Sequence, residues 1–258
     1  MPTYQPAELQ DFATRLLKAG GFTASDAAQT ADMLVWANLR GVDSHGVLRI
    51  PRYVEMIELG LINSGSSIEV VREFGAITVL DGGKCPGAVG MNAAVERAAA
   101  GAARLGLGWC AVRNTSHAGA IEYFTSALAA KGLVGIAFTA SKPLMSYFGA
   151  KGEVLSTNPL SIAFPRKEAE PIVLDMSTAA VALGKIFAAK DAGQSIPEGW
   201  AVDANGKDTT DPASVAAVLP MAGAKGSGLS LMIEMLASVM AGNAVIGPVL
   251  TGLNKGGF

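Results

Sequence analysis

Residues 76–112 have the sequence AITVLDGGKCPGAVGMNAAVERAAAGAARLGLGWCAV, in which two short apolar runs flank one long helical stretch. Residues 76–80 and 109–112 are typical of strands, because they are short, apolar and partly β-branched. Residues 88–105 are rich in alanine and are long enough for five turns of helix. The stretch therefore predicts a strand, a helix and a second strand, the basic unit of a layered α/β structure.

The same alternation continues toward the C-terminus. It predicts further strands at 133–138, 161–164 and 172–174, and further helices at 120–131, 178–190 and 227–240. We expect one α/β domain over 68–258.

The N-terminal part of the chain, residues 1–67, has a different pattern and predicts a small helical unit. Apolar residues recur at helical spacing over 9–17, and Ser25 is a plausible N-cap for a second helix that ends at Gly41. Pro51 suits the first turn of a third helix. A polar loop separates the second helix from the third.

Composition excludes several classes of function. The 258 residues carry a net charge of −2 with no run of basic residues, so a nucleic-acid partner is not expected. The most apolar stretch, 229–246, contains Glu234 and Asn243, which favours a buried helix over a membrane span. Cys85 and Cys110 form neither a disulfide framework nor a metal motif, which indicates a reducing cytoplasm.

The loop before the third helix carries the residues best suited to chemistry. His45 lies between Ser44 and a glycine, and histidine exchanges protons near neutral pH. Arg49 and Tyr53 follow at helical spacing and can hold a carboxylate and its neighbouring oxygen. His117 likewise follows a serine and precedes small residues, so it is a second candidate for proton exchange. The alternative is two structural histidines, a surface arginine and a packed tyrosine.

A glycine-rich turn at 222–228 leads into an apolar helix and contains Lys225. Free backbone N–H groups, the helix dipole and this ammonium group together suit a phosphate, although a plain capping turn also fits. The turn is neither a Walker loop nor a G-x-G-x-x-G dinucleotide site. A phosphate-transfer enzyme that uses this turn is therefore an alternative function, although no acidic pair for Mg²⁺ is evident.

Two other stretches allow either a structural or a binding role. Asp175 closes a predicted strand before Ser177, and it can cap the next helix or hold a ribose hydroxyl. Thr157 and Asn158 precede a proline, as is common in turns. With two distant histidines, no C-x-x-C and no G-x-S-x-G, neither a metal site nor a serine hydrolase is predicted.

Taken together, these stretches resemble the malate/L-lactate dehydrogenase family, which is unrelated to the Rossmann lactate dehydrogenases and includes ureidoglycolate, sulfolactate and diketogulonate dehydrogenases and cyclic imino acid reductases. The resemblance covers essentially the whole chain in family order. It rests on GVDSHGVLRIPRY (41–53), NTSHAGA (114–120), FGA (148–150), TNPLSIAFP (157–165), DMST (175–178), IPEGWAVD (196–203), TTDP (209–212) and the segment from Leu219 to Gly226.

The resemblance implies a function and roles for individual residues. The chain would transfer hydride between NAD(P)H and a small 2-hydroxy or 2-oxo acid or a cyclic imino acid, with His45 as proton donor and acceptor and His117 as a second active-site histidine. Ser44, Arg49 and Tyr53 would hold the substrate. The cofactor would lie in a non-Rossmann α/β domain against Ser141, Thr157, Asn158, Asp175, Met176, Ser177, Lys225 and Gly226.

The resemblance also implies a homodimer, but it leaves the substrate and the choice of NADH or NADPH open. Lys142 stands where some relatives carry an acidic or neutral residue, so their substrate preference is not carried over. Relatives continue past Phe258 with a further strand and parts of the cofactor and dimer surfaces, and this C-terminal segment is expected to be missing here. An inactive homologue that acts as a binding protein is therefore a further alternative.

Overall fold

The computed structural model describes residues 3–243 and divides them into two compact units. The first unit contains residues 3–137 and 162–173, and the second contains 138–161 and 174–243. The domain boundary expected after residue 67 therefore lies inside the first unit. Helices and small sheets occur in the same chain, so the predicted α/β class is confirmed.

Three helices open the first unit: α1 (Pro6–Ala19), α2 (Ala24–Leu39) and α3 (Ile50–Glu58). All three are close to the predicted positions, and Pro51 does lie in the first turn of α3. The N-cap of α2 is Thr23 rather than Ser25, because the Thr23 hydroxyl accepts from the Asp26 N–H while Ser25 is already helical. The apolar faces of these helices form the core of the unit with Leu17, Leu34 and Phe124 among its buried members.

The strand–helix–strand stretch forms as predicted. Strands β1 (Glu69–Phe74), β2 (Ile77–Cys85) and β3 (Trp109–Thr115) lie in the order β1-β2-β3, and α4 (Gly87–Leu105) joins β2 to β3. The pair β2–β3 is parallel and the pair β1–β2 is antiparallel. Sequence reasoning missed β1 because all six of its residues are exposed, so it lacks the alternating burial that marks a strand.

A second three-stranded sheet contains β4 (Gly135–Phe138), β5 (Leu160–Arg166) and β6 (Ala169–Met176), in the order β4-β5-β6. Helix α5 (Glu122–Ala130) precedes it. All four elements overlap the positions that the sequence predicts. The predicted and observed positions agree because each element is an apolar run bounded by polar or glycine-containing turns, a pattern that is visible in the sequence.

The second unit contains helices α6 (Leu183–Asp191) and α7 (Ala224–Glu234) and two short paired strands, β7 (Ala201–Val202) and β8 (Ala217–Val218). Its core includes Met145, Leu155 and Ile186. Helix α6 begins five residues later than expected at 178, because the Thr178 carbonyl oxygen accepts from the Met221 N–H and Ala179 forms a β-bridge with Pro220 instead.

Helix α7 continues as a π-helical turn at Met235–Val239. Within residues 3–243, no helix is both long and apolar enough to cross a membrane. The end of the apolar stretch 229–246 lies outside the described residues, as do the last residues of the chain.

Candidate active site

The loop between α2 and α3 consists of two short 3₁₀ turns, Asp43–His45 and Val47–Arg49, joined at Gly46. The Arg49 Nε–H donates to the Ser44 carbonyl oxygen at 2.6 Å. This bond ties the second turn back to the first, so the arginine and the histidine are held on one small piece of chain.

Asn38, near the end of α2, anchors this loop through both ends of its side-chain amide. Its Oδ1 accepts from the Val47 N–H at 2.9 Å, and its Nδ2 donates to the Asp43 carboxylate at 2.6 Å. A Cβ on Gly46 would lie 2.3 Å from the same Oδ1, so only glycine lets the amide approach. Sequence reasoning missed Asn38, since nothing in its immediate neighbours points to a partner nine residues on.

His117 lies in the loop that follows β3 and is fixed by the start of α4. The Gly87 N–H donates to the Ser116 hydroxyl at 2.9 Å, and a Cβ on Gly87 would lie only 2.0 Å from the His117 carbonyl oxygen. Glycine at the first position of α4 therefore allows the close backbone contact. Neither Gly87 nor Ser116 was predicted to support the site.

The structure brings together all five residues predicted to form the substrate side of the site: Ser44, His45, Arg49, Tyr53 and His117. The His45 and His117 rings are stacked, with centroids 5.5 Å apart and planes 23° apart. The Tyr53 Oη lies 2.8 Å from the His117 Nδ1, and the Ser44 Oγ lies 3.0 Å from the His45 Nδ1. Two imidazole rings therefore share one small region beside the loop.

Burial and positive charge keep both rings neutral. Burial, together with the positive charge of Arg49, lowers the pKa of His45 from 6.5 to about 4. Burial, His45 and Arg49 lower the pKa of His117 from 6.5 to about 3. Burial raises the pKa of Tyr53 well above its ordinary value, so its hydroxyl stays protonated.

Arg49 has no ion-pair partner within residues 3–243, although nearby arginines do. Arg40 pairs with Glu170 at 2.8 Å and Arg52 pairs with Glu55 at 2.6 Å. A guanidinium without a carboxylate beside two neutral rings is suited to a small anion from solution.

The residues predicted to bind the cofactor all lie in the second unit. Ser141 bonds to the Ser156 hydroxyl at 2.7 Å, and the Thr157 carbonyl oxygen accepts from Thr178. Asn158 is fully buried and donates to the Ser230 carbonyl oxygen and the Glu234 carboxylate. These contacts place Asn158 in the interior of the unit.

The remaining cofactor candidates lie at the C-terminal end of β6 and at the start of α7. Asp175 and Met176 end β6, and Asp175 is exposed while Met176 and Ser177 are half-buried. Lys225 is exposed in the first turn of α7. Gly226 packs tightly, because a Cβ there would lie 2.1 Å from the Met221 carbonyl oxygen.

Comparison with known proteins gives a match over nearly the whole chain. A family model described as malate/L-lactate dehydrogenase matches residues 4–256. The L-sulfolactate dehydrogenase of Methanocaldococcus jannaschii is 41% identical over 239 residues, which are 92% of this chain and 69% of that protein. Its solved structure matches with a TM-score of 0.87 and 40% identity, over 93% of this chain and 70% of that one.

Two further relatives act on different compounds according to their names. The ureidoglycolate dehydrogenase (NAD(+)) of Escherichia coli is 37% identical over 222 residues, which are 86% of this chain and 64% of that protein. The structure of the Δ1-piperideine-2-carboxylate reductase of Pseudomonas syringae matches with a TM-score of 0.90 and 29% identity, over 95% of this chain and 74% of that one.

Proposed function

Since this chain belongs to the malate/L-lactate dehydrogenase family, we propose that it transfers hydride between a nicotinamide dinucleotide and a small 2-hydroxy acid, 2-oxo acid or cyclic imino acid, with His45 as the acid/base. Family membership favours this function over phosphate transfer at the Lys225 turn and over a binding protein without activity.

One observation carries the proposal: in the first unit, two neutral imidazole rings come together with a guanidinium that has no ion-pair partner among the described residues. The histidine centroids are 5.5 Å apart, and the charge of Arg49 contributes to the lowered pKa of both rings. A carboxylate offers two oxygens to the guanidinium fork, and the adjacent oxygen or nitrogen of the substrate can then reach an imidazole. A 2-hydroxy or 2-oxo acid has these groups on neighbouring carbons.

Each residue has a separate task in this reaction. Arg49 binds the substrate carboxylate and fixes its orientation. His45 takes the hydroxyl proton when the substrate is oxidised, and returns a proton to the oxygen or nitrogen when it is reduced. Because its pKa lies below neutrality, His45 starts the oxidation unprotonated, which is the state a base requires.

Several residues of the second unit fit a dinucleotide. The exposed Lys225 ammonium in the first turn of α7 suits a phosphate, because the start of a helix is also its positive end. Asp175 at the end of β6 and the hydroxyls of Ser141 and Thr157 can bond to polar groups of the cofactor. When bound, the dinucleotide supplies the hydride acceptor or donor.

The test is the substitution His45→Ala, assayed with a panel of 2-oxo acids and cyclic imines and with both reduced cofactors. We expect turnover to fall by about 100-fold or more, because general acid–base catalysis contributes that much. Binding of the reduced dinucleotide, followed by its fluorescence, should be unchanged. Unchanged turnover in His45→Ala would refute the role of His45, and no activity of the unaltered chain on any compound would refute the function.

We further propose that the protein is a homodimer of the reducing cytoplasm. Its two described cysteines, Cys85 and Cys110, are free thiols, and burial raises the pKa of both, that of Cys110 to about 12. Light scattering of the purified chain measures the oligomeric state directly.

A further inference from the structure

The Tyr53 side chain is turned toward a histidine rather than toward solvent. It is 3% exposed, and its Oη lies 2.8 Å from the His117 Nδ1. The two rings are tilted by 52° with centroids 6.0 Å apart. Tyr53 therefore contacts His117 through its hydroxyl oxygen. A substrate-binding tyrosine would offer this oxygen to the substrate instead.

The direction of this hydrogen bond follows from the protonation states. The buried Tyr53 hydroxyl keeps its proton, and His117 is neutral. A neutral imidazole carries its single proton on either Nδ1 or Nε2. If the proton were on Nδ1, the Tyr53 O–H would lose its acceptor within a buried site, which is costly. The hydroxyl therefore donates to Nδ1, and the His117 proton lies on Nε2.

We propose that Tyr53 is a positioning residue that fixes His117 in the tautomer protonated at Nε2, so that His117 meets the substrate as a neutral hydrogen-bond donor. The role toward substrate rests on the proposed function, whereas the fixed tautomer rests on the Tyr53–His117 contact alone. A neutral donor polarises the oxo oxygen or imine nitrogen without adding a second positive charge beside Arg49.

The two histidines then have different tasks because their Nδ1 partners differ. The partner of His45 is the Ser44 hydroxyl at 3.0 Å, which is exposed and can either donate or accept. His45 is thus free to change its protonation state during turnover. His117 is not, because a proton on its Nδ1 would leave the buried Tyr53 O–H without its acceptor.

The sequence makes a direct test simple, because the chain has only two histidines. Protein labelled with ¹⁵N in histidine alone gives two ring systems, and His45→Gln assigns them by removing one. Long-range ¹H–¹⁵N correlations at neutral pH distinguish a protonated from an unprotonated ring nitrogen. We expect the unaltered chain to show His117 with Nε2 protonated and Nδ1 unprotonated, and an Nδ1-protonated His117 would overturn the proposal.

The substitution Tyr53→Phe tests whether the phenol causes this state. We expect His117 to become a mixture of both tautomers, while Tyr123→Phe leaves it unchanged. Tyr123 is a matched control, since its hydroxyl bonds to Asp32 and not to a histidine. A single Nε2-protonated tautomer that persists in Tyr53→Phe would overturn the proposal.

Kinetics separate positioning from direct substrate binding. If Tyr53 acts through His117, Tyr53→Phe should lower kcat by about tenfold with little change in KM. A tenfold rise in KM at unchanged kcat would assign Tyr53 to the substrate and contradict the positioning role. The spectra need no substrate, so a fixed tautomer in a chain without dehydrogenase activity would refute the proposed function and leave the tautomer assignment intact.

Discussion

Arg49 is the residue whose surroundings distinguish this site from the rest of the first unit. The neighbouring Arg52 lies on the exposed side of α3 and pairs with Glu55 at 2.6 Å. Arg49 instead donates through Nε to the Ser44 carbonyl oxygen, which leaves the terminal nitrogens of its guanidinium for a ligand. At the scale of single residues, the site depends on a charge that no carboxylate within residues 3–243 neutralises.

Replacing Arg49 with lysine keeps the positive charge but should still weaken substrate binding. An ammonium group cannot make two parallel hydrogen bonds to a carboxylate or keep the planar geometry of the fork. We expect KM for the acid substrate to rise by about tenfold or more, equivalent to roughly 1.4 kcal/mol. The control Arg52→Lys should leave KM as it is, and equal effects of the two substitutions in steady-state kinetics would contradict the assignment.

The two histidines should also make stability depend on pH. The pKa values of about 4 for His45 and about 3 for His117 lie below the unfolded value of 6.5, so below pH 6.5 the unfolded chain binds protons that the folded chain does not. Their contribution to stability is full above pH 6.5. It is lost as the pH falls toward 4 for His45 and toward 3 for His117, by at most about 1.4 kcal/mol per pH unit for each ring.

Denaturant unfolding at pH 7 and pH 5 measures this effect. The unaltered chain should lose more free energy of unfolding between the two pH values than His117→Gln, which has one fewer titrating ring. Carboxylates that titrate in the same range are common to both proteins and cancel in the comparison. Identical losses in the two proteins would show that the pKa of His117 is not lowered in the folded state.

At the scale of elements, the end of α2 determines where His45 lies. Asn38 bonds to Val47 and Asp43, one residue in each 3₁₀ turn, and Gly46 between the turns leaves the space that the amide fills. The loop is therefore held by a helix in addition to its own Arg49–Ser44 bond. A catalytic side chain on a loop needs this support to keep its geometry.

The substitution Gly46→Ala should displace the loop, because its methyl group would lie 2.3 Å from the Asn38 Oδ1. We expect a loss of about 1–3 kcal/mol in the free energy of unfolding and a fall in kcat. In an Asn38→Ala background the obstruction is gone, so the double variant should lose less than the sum of the single variants.

The control for this cycle is Gly184→Ala in α6, where a Cβ meets no atom within 4 Å. It should cost no stability, because alanine is the better helix former. Strict additivity of Gly46→Ala and Asn38→Ala, measured by denaturant unfolding, would show that the amide and the glycine do not depend on each other.

At the scale of the whole molecule, the residues predicted to bind the substrate lie in one compact unit and the cofactor candidates lie in the other. Binding of a dinucleotide to the folded chain alone should raise the stability of the whole protein by mass action. At a free concentration of 100 times Kd, the gain is about 2.7 kcal/mol. Thermal unfolding with NADH and with NADPH measures the gain and identifies the preferred cofactor.

The substitution Lys225→Met should reduce this stabilisation, because it removes the exposed positive charge in the first turn of α7. Lys207→Met removes another exposed charge elsewhere in the second unit and serves as the control. If both variants bind the dinucleotide as tightly as the unaltered chain, Lys225 does not contact the cofactor.

Much of the fold could be predicted because its signals are local. The strand–helix–strand stretch from β2 to β3 and the position of Pro51 in α3 depend on residues close in sequence. Prediction failed for β1, which is exposed along its length, and for the start of α6, where Thr178 bonds to a distant carbonyl oxygen. In both cases, partners from elsewhere in the chain determined the structure.

The sequence by itself determined which residues are candidates for the chemistry, since a histidine and an arginine in one loop, followed by a tyrosine at helical spacing, are visible without coordinates. Only the tertiary structure decided what each one contacts. His117 meets Tyr53 across 64 residues of sequence, and Gly87 allows its backbone to come close. Burial of these groups against one another shifts their pKa values and fixes their hydrogen-bond partners, and burial is a property of packing that no short stretch of sequence contains.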